Sequence, residues 1–109
     1  MATTYKVLAQ SAPSATTATD IYTVPSSTAT VVSTIVVANR AATNATYRIA
    51  VRPNGGTLAN EHYIAYDVTV GASDSTTITL GITMDAADVI TVYASTANLS
   101  FNVFGSEIA

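Results

Sequence analysis

TVVSTIVVAN, residues 30–39, decides the fold of this chain. The stretch is short, rich in β-branched residues and apolar at nearly every position, which is typical of a strand covered on both faces. A helix is disfavoured because β-branched side chains lose χ1 freedom against the preceding helical turn. Since successive strand residues point to opposite faces, the sequence predicts one face of Val32, Thr34 and Val36 and another of Val31, Ser33, Ile35 and Val37.

Seven further short strands are predicted to pack around this central strand, at residues 5–10, 21–24, 46–52, 62–70, 76–82, 89–94 and 99–104. Pro53–Gly56 is the clearest turn between them, because Asn-Gly supplies the positive φ that a tight turn needs. Short strands with regularly spaced turns and no helical period predict one all-β domain over residues 1–109, an antiparallel β-sandwich. Jelly-roll and immunoglobulin-like strand orders both remain open. The alternation predicts a core of Val32, Ile35, Val37, Ile49, Val68, Ile78, Leu80, Val92 and Phe101.

Low charge is the main feature of the composition. Only 10% of the 109 residues are charged, against roughly 25% in an average soluble domain, and 49% are hydrophobic. A surface so poor in charge indicates that neighbouring subunits cover part of it. The net charge of −3 disfavours a nucleic-acid partner. No apolar run reaches the roughly 18 residues that span a membrane. Without cysteine or signal-peptide features, the chain is expected to be made in the cytoplasm.

The titratable residues do not form a catalytic or metal-binding motif in the sequence. His62 is the one histidine, so a histidine-based metal cluster within one subunit is excluded. The carboxylates lie nearly all at predicted turns, where aspartates hydrogen-bond local backbone N–H groups, and we predict this role for Asp74, Asp85 and Asp88. A calcium ion between Asp85 and Asp88 is the weaker alternative. We therefore predict a protein with no enzymatic activity and no metal or cofactor.

Four residues are candidates for a contact between subunits: Tyr63, Arg48, Arg52 and Asp67. Arg48 and Arg52 lie four residues apart on the same face of one strand, where they would meet carboxylates of a neighbouring subunit; a solvated face is the alternative. Asp67 is a candidate for such a carboxylate. Tyr63 is predicted to lie opposite the apolar face of its strand, and an exposed tyrosine buries a large contact area at low entropic cost.

The chain resembles a group of small structural proteins encoded by tailed bacteriophages, cyanophages among them. The resemblance lies in YKVLAQSAPSATTATDIYTVP, TVVSTIVVANR, YRIAVRP, HYIAYDVTV and DVITVYASTANLSFNVFGSEI, which together cover nearly the whole chain. It implies a β-sandwich virion component without enzymatic activity, located on a capsid, neck or tail. No ligand-binding residue is implied by it.

Two classes of function follow from these observations. The first is an accessory protein of the phage head or neck, attached to other virion proteins as a homo-oligomer. A trimer is favoured because threefold accessory proteins are frequent in phage particles. The alternative is a receptor- or carbohydrate-binding module of a tail fibre or baseplate. In that case Tyr63 and the loops around Asn54 and Asn98 would carry recognition.

Overall fold

A computed structural model describes residues 2–109 as two packed antiparallel β-sheets. The predicted β-sandwich is confirmed. Two short 3-10 helices, Pro53–Gly55 and Asn60–His62, lie between the fourth and fifth strands. The strands are β1 (Thr3–Ser11), β2 (Thr19–Thr23), β3 (Ala29–Asn39), β4 (Ala45–Arg52), β5 (Tyr63–Val70), β6 (Ser75–Ile78), β7 (Ile82–Met84), β8 (Val89–Ala94) and β9 (Leu99–Ile108).

The strand order settles the topology that the sequence left open. Sheet A has the order β1-β9-β3-β6, with β7 also paired to β3, and sheet B has the order β2-β8-β4-β5. When β6 and β7 are counted as one interrupted strand, each sheet alternates early and late strands as in a jelly roll of two Greek keys. The domain is therefore a jelly roll and not an immunoglobulin-like sandwich.

The central position of β3 is confirmed, but its predicted side-chain alternation is wrong. The strand pairs with β9 on one side and with β6 and β7 on the other. Its register against β9 shifts between Val32 and Thr34, which is a β-bulge. The bulge returns Ile35 to the face that Val32 occupies, so both are buried between the sheets. The opposite face is not packed against another layer of this chain, and Ser33 is exposed there.

A second bulge interrupts the side-chain alternation of β5. Pairing with β4 shifts between Tyr47 and Ile49, and Asp67 at this point has a φ of 52°. As a result Ala65, three residues before Val68, pairs with the buried Ile49 and packs against the core. The prediction that Val68 belongs to the core is wrong for a different reason. Val68 lies opposite the buried Tyr47, on the inner face, but β5 is an edge strand and leaves it 36% exposed.

The predicted strand over residues 76–82 is divided in two. β6 ends at Ile78 and β7 begins at Ile82, and Gly81 between them has a φ of +62°. Leu80 lies in this interruption and is 59% exposed, so its predicted place in the core is also wrong. The alternation of Ile78 and Leu80 would have required a continuous strand.

The core fills the space between the two sheets. Six of the nine predicted core residues are buried there, and Ile78 packs against the same cluster while partly exposed. Tyr47 of sheet B contacts Phe101 of sheet A edge to face, with ring centroids 6.2 Å apart. Such aromatic pairs add to the stabilisation from buried area. The six are Val32, Ile35, Val37, Ile49, Val92 and Phe101.

The loops divide between two ends of the sandwich. At one end, the backbone N–H of Arg40 donates to Asn98 and that of Ser73 donates to Ala41, which joins the loops after β3, β5 and β8. At the other end, the backbone N–H of Asn54 donates to Asp88, which joins the loops after β4 and β7. Any site built from loops must therefore use one set or the other.

Candidate binding surface on sheet B

Arg48 is the centre of an aromatic cluster on the outer face of sheet B. It lies directly opposite Tyr93 of β8 in the strand pairing. Its guanidinium carbon is 4.2 Å from the centroid of the Tyr66 ring and 4.4 Å from that of the Tyr93 ring. Both distances are within the range of cation–π attraction. The guanidinium is thus held between tyrosines of β5 and β8, the two strands that flank β4. All members of the cluster belong to one chain.

Asp67 neutralises the same guanidinium. Arg48 donates from Nε to Oδ1 at 2.6 Å and from Nη2 to Oδ2 at 3.3 Å. This hydrogen bond lowers the pKa of Asp67 and raises that of Arg48. The two predicted contact residues are therefore brought together, and the carboxylate that pairs with Arg48 belongs to the same subunit. The positive φ of Asp67 at the bulge turns its side chain to this position.

Arg52 belongs to a separate polar cluster on the same face. Its Nη2 donates to Asp20 at 2.9 Å and its Nε donates to the hydroxyl of Thr91 at 3.0 Å. Its Nη1 donates to the carbonyl oxygens of Gly55 and Gly56 at 3.2 and 2.8 Å. The guanidinium therefore fixes the turn after β4 to β2 and β8. These contacts assign Arg52 a structural role within the chain, while its role in a subunit contact stays a prediction.

Tyr63 and Tyr66 form the wall of an open recess beside the arginine cluster. Their rings meet edge to face, with centroids 4.9 Å apart and planes at 85°. Together with Asn60 they line a volume of about 390 Å³. Tyr63 is partly buried, whereas Tyr66 is 56% exposed and Asn60 is exposed. The recess thus combines two aromatic rings at a right angle with an amide side chain.

A polar cluster between the sheets involves Tyr22, Thr30 and Glu107. The Tyr22 hydroxyl donates to Glu107 and lies 2.8 Å from the hydroxyl of Thr30. Lys6 donates to the other carboxylate oxygen of Glu107 at 3.0 Å. The pKa of Glu107 is lowered, first by the hydrogen bond from Tyr22 and then by that from Lys6. Burial, followed by the hydrogen bond to Glu107, raises the pKa of Tyr22 to about 12.

The raised pKa of Tyr22 has a consequence for stability at alkaline pH. Its pKa is about 12 in the folded chain against 10.0 for a free tyrosine. Between these values the unfolded chain binds fewer protons, so the contribution of Tyr22 to stability is full below pH 10 and is lost as the pH rises through about 12. We expect Tyr22→Phe to flatten the fall of the melting temperature between about pH 9 and 12. Equal slopes for the two proteins in a thermal-denaturation series would contradict this assignment.

The turn carboxylates have the local role that the sequence predicts. Asp74 and Asp85 accept hydrogen bonds at 2.8 Å from the backbone N–H groups of Ser75 and Ala86. Asp88 accepts from Asn54 through one oxygen and from Asp85 through the other, at 2.8 and 2.9 Å. Both oxygens of Asp88 therefore hold backbone groups.

His62 has a local structural role, and the two loop asparagines lie at opposite ends of the sandwich. His62 ends the second 3-10 helix, and its Nδ1 accepts from the backbone N–H of Ala59 at 3.1 Å. Asn54 lies at the same end of the sandwich as the start of β5, but Asn98 lies at the opposite end. The loops around Asn54 and Asn98 therefore do not form one recognition site.

The sequence did not single out Tyr66, Tyr93 and Asn60 as partners of the predicted contact residues. The partners of Arg48 follow from which strands are neighbours in sheet B and from the bulge at Asp67. Neither is visible in a single sequence. The tyrosine content of the strands was the available signal, because tyrosine is enriched at contact surfaces.

The large exposed apolar side chains lie at the open edges of the two sheets. Tyr5 and Val7 lie on β1, at one edge of sheet A, and are 84% and 48% exposed. Leu80 lies between β6 and β7 at the opposite edge. The remaining three large exposed hydrophobic residues lie on β5, an edge strand of sheet B, and are Ile64, Tyr66 and Val68.

Comparison of the chain with protein-family models, curated proteins and solved structures finds no match. Within residues 2–109, no three His, Cys, Asp or Glu side chains are grouped so as to hold a metal ion. In the same part of the chain, no helix has the length and hydropathy that crossing a membrane requires.

Proposed function

We propose that this chain is a structural subunit of a tailed-bacteriophage particle, without enzymatic activity, that is made in the cytoplasm of the bacterial host. It assembles as a homo-oligomer, with a trimer favoured, and attaches to other virion proteins. Its place is that of an accessory protein on the head or neck. The family resemblance of the sequence is the source of the phage assignment, and the jelly-roll order is compatible with it because this topology occurs in viral capsid domains. Lectins share the topology, so the fold alone does not choose between these classes.

One observation carries the assembly role: the apolar side chains left exposed lie on edge strands or in the interruption between them. Natural monomers protect such edges with charge, proline or short strands, since an unpaired edge is a template for another chain. β1 is nine residues long and its one charged side chain, Lys6, is paired with Glu107. A long edge with exposed Tyr5 and Val7 therefore favours contact with a neighbouring subunit in the particle.

The arginine contacts refine the predicted interface. Arg48 and Arg52 are both paired with carboxylates of their own chain. In this proposal they hold the outer face of sheet B rigid, and the apolar edge residues supply the contact area. A rigid, neutral surface is suited to permanent attachment, because few side chains lose freedom on binding.

Sedimentation equilibrium tests the assembly role. We expect the purified protein to sediment as a multiple of the 11.2 kDa chain, and Val7→Lys to shift it toward the monomer, because a lysine on an edge strand opposes strand pairing. Asn98→Lys is the matched control, since it adds the same charge at an exposed loop position away from the strand edges. A strict monomer up to high concentration, or an equal effect of the two lysines, would contradict assembly through β1.

A further inference from the structure

Asn60, Tyr63 and Tyr66 line a recess on the surface of sheet B, and its shape is set by the contact between the two tyrosine rings. Its two aromatic rings stand at 85° to each other, and the exposed Asn60 side chain lies beside them. Arg48 also packs against Tyr66, with its guanidinium carbon 4.2 Å from the ring centroid. The volume of about 390 Å³ lies at the lower end of the range for small-molecule sites, which is roughly 300–1,000 Å³.

The charges around the recess select a neutral ligand. A cationic ligand on Tyr66 would be repelled by Arg48, which already stacks on that ring. An anionic ligand could not pair with Arg48, because the Nε of Arg48 is already 2.6 Å from Oδ1 of Asp67. The exposed carboxylate of Glu61, next to Asn60 in the chain, would also repel it. What the recess offers is the aromatic surface, the tyrosine hydroxyls and an amide with both a donor and an acceptor.

We propose that this recess binds a single ring of a neutral saccharide. One face of a pyranose presents C–H groups that pack against an aromatic ring, and its hydroxyls hydrogen-bond to amide and phenol groups at the rim. Tyr63 and Tyr66 supply the stacking surface and Asn60 orients the hydroxyls. The inference is independent of the virion role, because the site lies within one chain and is complete without a partner.

Two-dimensional ¹H–¹⁵N NMR of the intact protein tests this site. The probes are methyl glucopyranosides, methyl galactopyranosides, methyl mannopyranosides and N-acetylglucosamine, each to about 100 mM, which saturates a site with a Kd in the millimolar range. We expect at least one of them to shift the signals of residues 60–66. Choline and sialic acid serve as cationic and anionic comparisons, and we expect weaker shifts with both.

Variants separate specific binding from a general solvent effect. Asn60→Ala removes an exposed side chain whose loss leaves the fold intact, and we expect about fivefold weaker binding from the loss of one or two hydrogen bonds. Tyr63→Leu removes the stacking surface and is expected to abolish the shifts. Tyr5→Ala is the matched control, because it removes a more exposed tyrosine from the other sheet.

Three results would overturn the proposal. The first is that no pyranoside shifts residues 60–66, and the second is that choline or sialic acid binds there more tightly. The third is equal binding by Asn60→Ala and Tyr5→Ala. Because these measurements use the isolated protein, their failure is distinct from failure to find the chain in a virus particle.

Discussion

Gly105→Ala is expected to lower the free energy of unfolding by about 4 kcal/mol or more, which is exceptional for one methyl group. Gly105 lies in β9 opposite Val32, at the bulge where the two central strands of sheet A change register. A Cβ at this position would overlap the backbone oxygen of Val31 and would lie 3.0 Å from a methyl carbon of Leu8. Since the obstacle is backbone, no side-chain rotation relieves it, and the β3–β9 pair must separate.

Thermal denaturation measures this effect. A loss of that size lowers the melting temperature by about 15 °C or more in a domain of roughly 100 residues. Gly71→Ala is the control, because its added Cβ would meet only atoms of Asp74 at 3.7 Å, which is ordinary van der Waals contact. We expect the control to stay within about 0.5 kcal/mol of the natural protein. Equal stability of the two variants would show that the strands are not packed as described at this bulge.

Asn39→Ala is expected to cost about 2–4 kcal/mol, because the side chain satisfies backbone groups of two loops from a buried position. Asn39 is 3% exposed at the end of β3. Its Nδ2 donates to the carbonyl oxygens of Thr43, Val70 and Gly71 at 2.8, 3.3 and 3.2 Å. Its Oδ1 accepts from the backbone N–H of Ala41 at 3.0 Å. One amide thus joins the loops after β3 and β5.

Two further variants test the orientation of this amide. Asn39→Asp keeps the acceptor for Ala41 but places a carboxylate against three carbonyl oxygens, so we expect it to be at least as destabilising at pH 7 as Asn39→Ala. Asn102→Ala is the control, since its side chain accepts only the exposed hydrogen bond from Gln10 at 2.8 Å. Near-natural stability of Asn39→Asp in chemical denaturation would refute the proposed hydrogen bonds.

The central strand and the two bulges show which features of the fold a single sequence can predict. The β-branched stretch 30–39 was sufficient to identify the central strand, because composition and length determine that assignment locally. The bulges at Ser33 and Asp67 were not predictable, since a bulge is a property of two paired strands. Leu80 is misplaced because the alternation is counted along a strand that the fold interrupts. Val68 is misplaced because the sequence does not show that its strand lies at the edge of the sheet.

The candidate surface was predictable in part. The alternation predicts that Arg48 and Arg52 share one face of a strand, but that Tyr63 lies in the same sheet, and which residues are their partners, follows only from the strand order β2-β8-β4-β5. Tyr93 reaches Arg48 because β8 lies beside β4, and Asp20 reaches Arg52 from β2 across β8. These contacts join positions far apart in the chain, and a sequence pattern reports only near neighbours.

The exposed edges connect the fold to the proposed function. The exposed side chains of Tyr5 and Val7 on β1 lie outside the core of the sandwich. Their exposure is explained if neighbouring subunits cover them in the particle. The low charge of the chain is consistent with such a covered surface.

The most direct test of the central claim is a cryo-EM map of the intact phage particle whose genome encodes this chain, with mass spectrometry of the same particles. We expect the chain in many copies at symmetric positions on the head or neck, with β1 against a neighbouring subunit. Absence of the chain from purified particles, or copies whose edge strands all face solvent, would contradict the account.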